Sequence, residues 1–143
     1  MTQLSEHFSL EELTHTDHRT LDNTPNDAER VNLVRLASFL ELVKVVLIGK
    51  PIMVNSAFRS KAVNDAVGSK DSSQHRIGCA ADIRVPGMAP DAVVRAVIAA
   101  QLPFDQIIRE FDAWTHISVP NSTALKPRRQ ALIIDKAGTR PFA

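Results

Sequence analysis

At 143 residues, with 44% hydrophobic and 23% charged residues, the chain suits one domain able to bury an ordinary core. A formal net charge of +1 without a basic run or face gives no reason to expect a nucleic-acid partner. The single cysteine, Cys79, excludes an internal disulfide, so any cross-link that stabilises the fold would have to be a metal.

The opening MTQLSEHFSLEEL has no basic region followed by an apolar stretch, so no signal peptide is expected. Ser9 and Glu12 form a capping-box pair, with Phe8 and Leu13 as the accompanying staple, and predict a short helix. Thr14 to Pro25 is polar and turn-rich and reads as an irregular surface segment. A long helix is predicted from near Asn26, where Glu29 repeats the capping spacing, to Gly49. Leu33, Leu36, Ala37, Leu40, Val43 and Leu47 mark its inner face. The longest apolar run, Phe39 to Gly49, is broken by Glu41 and Lys44 and is too short to span a bilayer, so no stable membrane insertion is expected.

Pro51 to Phe58 alternates as a strand, and Ser60 caps a short helix through Val67 that Gly68 closes. Ser69 to Gly78 reads as a loop, Cys79 to Val85 as a strand, and Pro90 opens a helix to about Gln101. Gln106 to Val119 is β-rich, either one long strand or a tight hairpin turning near Asp112. Ala131 to Ile134 adds a further strand. Helices and strands do not alternate strictly, so the predicted class is α+β, a small antiparallel sheet with flanking helices in one domain.

Of the five histidines, His7, His15 and His18 fall in the polar N-terminal stretch and read as solvated. His75 lies in a polar loop that enters the strand carrying Asp82. On that strand Ala80, Asp82 and Arg84 share a face opposite Ala81, Ile83 and Val85. Taken alone, these are a loop histidine and a sheet-surface aspartate. The second segment shifts the balance, because alternation puts Trp114, His116 and Ser118 on one face. An apposed His75, Asp82 and His116 would make three N/O ligands with a fourth position open, the donor set of a catalytic zinc site. Hydrolysis also needs a base, for which Glu110 and Asp112 are the candidates, and a donor near the oxyanion, for which Arg59 is the candidate.

Ser73-x-His75-x-x-Gly78-x-Ala80-x-Asp82, followed by a histidine with an acidic residue and an aromatic before it, resembles the M15 family of zinc peptidases. That family includes D-alanyl-D-alanine carboxypeptidases and dipeptidases and phage L-alanyl-D-glutamate endopeptidases, and it shares its fold with the hedgehog signalling domain. The segments His7 to Leu13, Asn55 to Ser60, Phe104 to Gln106 and Trp114-x-His116-x-Ser118 resemble its compact phage and prophage branch, giving coverage of about residues 7 to 119, with 120 to 143 as a C-terminal extension.

The resemblance implies one zinc ion held by His75, Asp82 and His116, Ser73 and Trp114 at the substrate, and Arg59 polarising the scissile carbonyl. Many members place an acidic residue three positions before the last histidine. Here that position is Ala113, while Glu110 stands six before it, as in the hedgehog-like and compact phage sequences. Glu110 is therefore preferred as base, with Asp112, also grouped with the substrate-binding residues, in reserve.

The expected activity is hydrolysis of stem or cross-link peptides of bacterial peptidoglycan by a monomeric phage or prophage endolysin. It would be made in the host cytoplasm and reach the periplasmic wall through a membrane lesion or from a virion. The alternatives are a D,D-carboxypeptidase or dipeptidase of the same family, and a zinc-binding structural module without catalysis.

Overall fold

The computed structural model describes residues 2–143. Four helices, α1 (Leu10–Leu13), α2 (Asp27–Val46), α3 (Lys61–Ala66) and α4 (Pro90–Ala99), accompany a six-stranded sheet. The strands are β1 (Met53–Ser56), β2 (Ala80–Arg84), β3 (Gln106–Glu110), β4 (Trp114–Ser118), β5 (Gln130–Asp135) and β6 (Gly138–Pro141), in the order β1-β2-β4-β3-β5-β6. The class is α+β, as expected. The sheet is antiparallel except between β3 and β5, which run parallel.

Local chemistry accounts for the helix limits. Ser9 and Glu12 close a capping box on α1, and Asn26 with Glu29 closes a second on α2. Pro90 occupies the first turn of α4, where its missing N–H costs nothing. All six inner-face positions predicted for α2 are buried, and they pack with Ala81, Ile83, Ile107 and Ile117 in one core. One face of the sheet therefore belongs to the helices. Strand alternation turns Asp82, His116 and Ile108 to the other face. The irregular segment after α1 is fastened by Asn23, whose side chain donates to the carbonyls of Thr14 and Phe58 and accepts from Ser60 N–H.

Two elements depart from the sequence reading, and a third settles a choice that it left open. The predicted loop from Ser69 to Gly78 contains a 3-10 turn, Gln74–Ile77, which carries His75. The stretch Gln106 to Val119 resolves as the hairpin, with Phe111 and Asp112 both at positive φ and Ala113 N–H bonded to Glu110 O at 3.0 Å. The segment after residue 119 is no mere extension. It supplies β5 and β6, and β6 escaped prediction because its four residues are exposed and carry no apolar alternation.

Gly78 ends the 3-10 turn at φ +83°, and a Cβ there would lie 2.9 Å from the backbone oxygen of Glu29 and 3.1 Å from Leu33 Cγ. Neither the conformation nor the space suits a side chain. Gly78→Ala is expected to destabilise the fold by about 1–3 kcal/mol, read as a lower urea midpoint with an unchanged m-value.

Asp105 ties the C-terminal strands to the turn that carries His75. The Arg128 guanidinium donates to its Oδ2 from Nη2 at 2.8 Å, and Gln74 Nε2 donates to the same oxygen at 3.1 Å. Burial alone would raise this carboxyl, but the bonds from Arg128 and Gln74 outweigh it and hold it below the ordinary aspartate value. A folded pKa below the unfolded one contributes stability in full above the unfolded value, and this is lost as pH falls through the folded value. Asp105→Asn is expected to lower the melting temperature at pH 7 and to narrow the gap to wild type between about pH 5 and pH 2.

Candidate metal centre

Asp82 and His116 are direct partners in the β2–β4 ladder, so their side chains leave the same face side by side. His116 Nδ1 lies 3.0 Å from Asp82 Oδ1. The 3-10 turn brings His75 to the same oxygen, with Nε2 at 3.3 Å. One ligand atom from each residue falls within 4.8 Å of the others, and all three side chains are buried. The two imidazoles meet edge to face, with ring centroids 5.2 Å apart.

The end of β1 fixes His75. Its Nδ1 donates to Ala57 O at 2.6 Å, while Arg59 N–H donates to the His75 carbonyl at 2.9 Å. Committing Nδ1–H to a carbonyl leaves the Nε2 lone pair aimed at Asp82 Oδ1. Burial lowers the His75 pKa against the opposing pull of Asp82, which keeps the ring neutral. A lone pair facing a carboxylate oxygen at 3.3 Å is two acceptors in opposition, an arrangement that a cation between them relieves. The spacing matches the edge of about 3.3 Å of a tetrahedron with N/O bonds of 2.0–2.1 Å. These residues fit a metal ion.

Arg59 holds the other carboxylate oxygen, with Nη2 at 3.3 Å from Asp82 Oδ2. Its Nε donates to Ser56 Oγ at 3.1 Å and its Nη1 to Ser69 Oγ at 3.2 Å. A cleft of about 320 Å³ opens over the three residues, lined further by Arg59, Val67, Ser69, Ser73, Glu110 and Trp114. Glu110 reaches it because it pairs with Trp114 at the neck of the β3–β4 hairpin. Burial raises the Glu110 pKa, with the Asp82 charge adding to this and the Arg59 guanidinium among the groups opposing it. The Trp114 Nε1 donor is buried without a hydrogen-bond partner.

The structure thus brings His75, Asp82, His116, Glu110, Arg59, Ser73 and Trp114 to one cleft. Asp112 does not join them. An unbroken strand would have put it beside Glu110, but the turn sends it outward, where it is exposed and ion-paired with Arg109. It lines a separate cavity with Arg84 and Pro86. Sequence reasoning missed Ser56, Val67 and Ser69. Strand parity could have found Ser56, which pairs with Asp82, whereas nothing in the polar stretch after Gly68 singles out Ser69.

Two imidazoles and a carboxylate whose ligand atoms lie within 4.8 Å of one another, with a further carboxyl group in the same cleft, form a candidate metal site of the kind that metal-assisted hydrolases use. The sequence model of the Peptidase M15 family matches residues 6–118, and the chain belongs to that family. A peptidase is the enzyme class that this membership carries. Comparison with curated proteins finds no match. Among the described residues, no helix is long and apolar enough to cross a membrane.

Proposed function

We propose that this chain is a zinc-dependent peptidase that cuts peptide bonds in the stem or cross-link peptides of bacterial peptidoglycan, as a phage or prophage endolysin endopeptidase. The observation that carries the reading is the convergence of His75, Asp82 and His116 on one oxygen, with Glu110 lining the same cleft but outside the ligand set. The phage setting follows from the resemblance of the His7 to Leu13 and Asn55 to Ser60 segments.

His75, Asp82 and His116 would hold the zinc, which supplies Lewis acidity to a water and to the scissile carbonyl. Glu110 takes the proton of the attacking water at its carboxylate and returns it to the departing amine. Its half-buried position moves its pKa toward the range where it can do both. Arg59 carries five N–H groups, and Ser56, Ser69 and Asp82 engage three, which leaves donors for a carbonyl oxygen in the cleft. The Ser73 hydroxyl and the Trp114 side chain, which line the same cleft, are further groups for the substrate.

Defined peptides test the mode of cleavage. An endopeptidase should hydrolyse an internal bond of a stem tetrapeptide or cross-linked dimer, giving two peptide fragments by mass spectrometry. Release of terminal D-alanine alone would instead assign a carboxypeptidase. Retention of Glu110 in the cleft speaks against a structural module without catalysis.

A further inference from the structure

The tip of the β3–β4 hairpin carries a side chain that its backbone does not favour. Phe111 sits at φ +53° and Asp112 at φ +52°, in the turn that Ala113 N–H closes on Glu110 O. Asn, Asp and Gly tolerate this left-handed region, and Asp112 suits it. A bulky aromatic does not, so Phe111 holds backbone strain. Nothing in the core offsets it. Phe111 is 50% exposed, and neither it nor Trp114 belongs to the hydrophobic core.

What Phe111 does meet is the edge of the metal cleft. Its ring centroid lies 5.9 Å from that of Trp114, with the planes tilted by 39°. Trp114 in turn lines the cleft with His116 and Glu110. Phe111 also borders an open hollow of about 480 Å³ with Asp112, Asp135, Lys136 and Ala137. The two rings therefore connect the cleft to the hollow, as an aromatic surface with charged groups along its far edge.

We propose that Phe111 and Trp114 form a sugar-binding subsite, on which the glycan end of the substrate rests while its peptide occupies the cleft. The choice of ligand rests on the peptidoglycan reading above. A pyranose ring is amphipathic in the matching sense, with C–H groups on its face and hydroxyls on its rim. The negative faces of aromatic rings attract such weakly positive C–H groups. Lys136, Asp112 and Asp135 supply donors and acceptors for the rim. Stem-peptide side chains are methyl or charged, and none offers a flat apolar face to match two rings.

The spacing fits as well. Trp114 and His116 are two residues apart on β4, about 7 Å along a strand, and the step from Trp114 to Phe111 adds 5.9 Å between ring centroids. A sugar at Phe111 thus stands on the order of 10 Å from His116, the reach of about three extended residues. A peptide lying in the cleft can bring its own sugar there.

Trp114 is the sole tryptophan, so its emission reports on this surface directly. Titrating the full chain with the peptide-free disaccharide N-acetylglucosaminyl-N-acetylmuramic acid should change that emission saturably. Phe111→Asn should weaken the binding by about three- to tenfold. Asparagine suits the left-handed turn, so the urea midpoint should be no lower than in wild type. The same variant should raise KM for a muramyl stem peptide by a similar factor, with kcat within about twofold. KM for the stem peptide without its sugar should stay within about twofold. Emission that the disaccharide leaves unmoved would overturn the subsite. So would equal rises in KM for both peptides, which place Phe111 against the peptide, or a lowered urea midpoint with unchanged disaccharide binding, which makes Phe111 a structural residue. Binding of the disaccharide without cleavage of either peptide would sink the peptidase reading alone and leave the sugar subsite standing.

Discussion

Glu110→Gln is expected to lower kcat by about 10²–10⁴-fold, the range for loss of a general base. Metal stoichiometry and melting temperature should stay close to wild type. The side chain lines the cleft but stands outside the three residues that converge on Asp82 Oδ1, and glutamine matches its shape. Asp112→Asn should leave kcat within about twofold, because Asp112 faces Arg109 on the outside of the hairpin. Steady-state kinetics on a stem peptide, with zinc content measured on the same samples, separates the two. If Asp112→Asn is the inactive variant and Glu110→Gln works, the base has been misassigned.

Removing the metal is the second large effect. A ligand that binds only the folded state adds RT ln(1 + [L]/Kd), about 4 kcal/mol at a free concentration a thousand times Kd. For a domain of this size that corresponds to a fall of roughly 8–16 °C in melting temperature on chelation. His116→Ala should abolish the response, because it takes away one of three ligands and leaves Asp82 and His75 as two acceptors in opposition. Scanning calorimetry with and without chelator, followed by zinc add-back, reads this directly. A melting temperature indifferent to chelator in the wild type would remove the metal from the site.

Much of the scaffold was legible because the chemistry is local. The caps at Ser9 and Asn26, Pro90 in the first turn of α4 and the period of α2 each follow from a few neighbouring residues. Period-two alternation separated Asp82 and His116 from the core, and the ladder then made them direct partners. The position of His75 was less legible. No periodicity marks a four-residue 3-10 turn, and what holds it are the Ala57 carbonyl and the Arg59 N–H, both from the segment that follows β1.

The parallel pairing of β5 with β3 was hidden for a similar reason. Strand partners depend on where a chain returns, and Asp105 fixes that return through Arg128. Asp112 marks the limit of parity arguments. Alternation grouped it with Glu110 only while the strand continued, and two residues at positive φ break it there.

Digestion of purified peptidoglycan, with mass spectrometry of the newly exposed peptide ends, tests zinc-dependent cleavage at this cleft most directly. Wild-type protein should release new amino termini from the stem or cross-link peptides, and the release should vanish with chelator and return with zinc. Protein that binds one zinc ion per chain yet releases no peptide end would contradict the assignment.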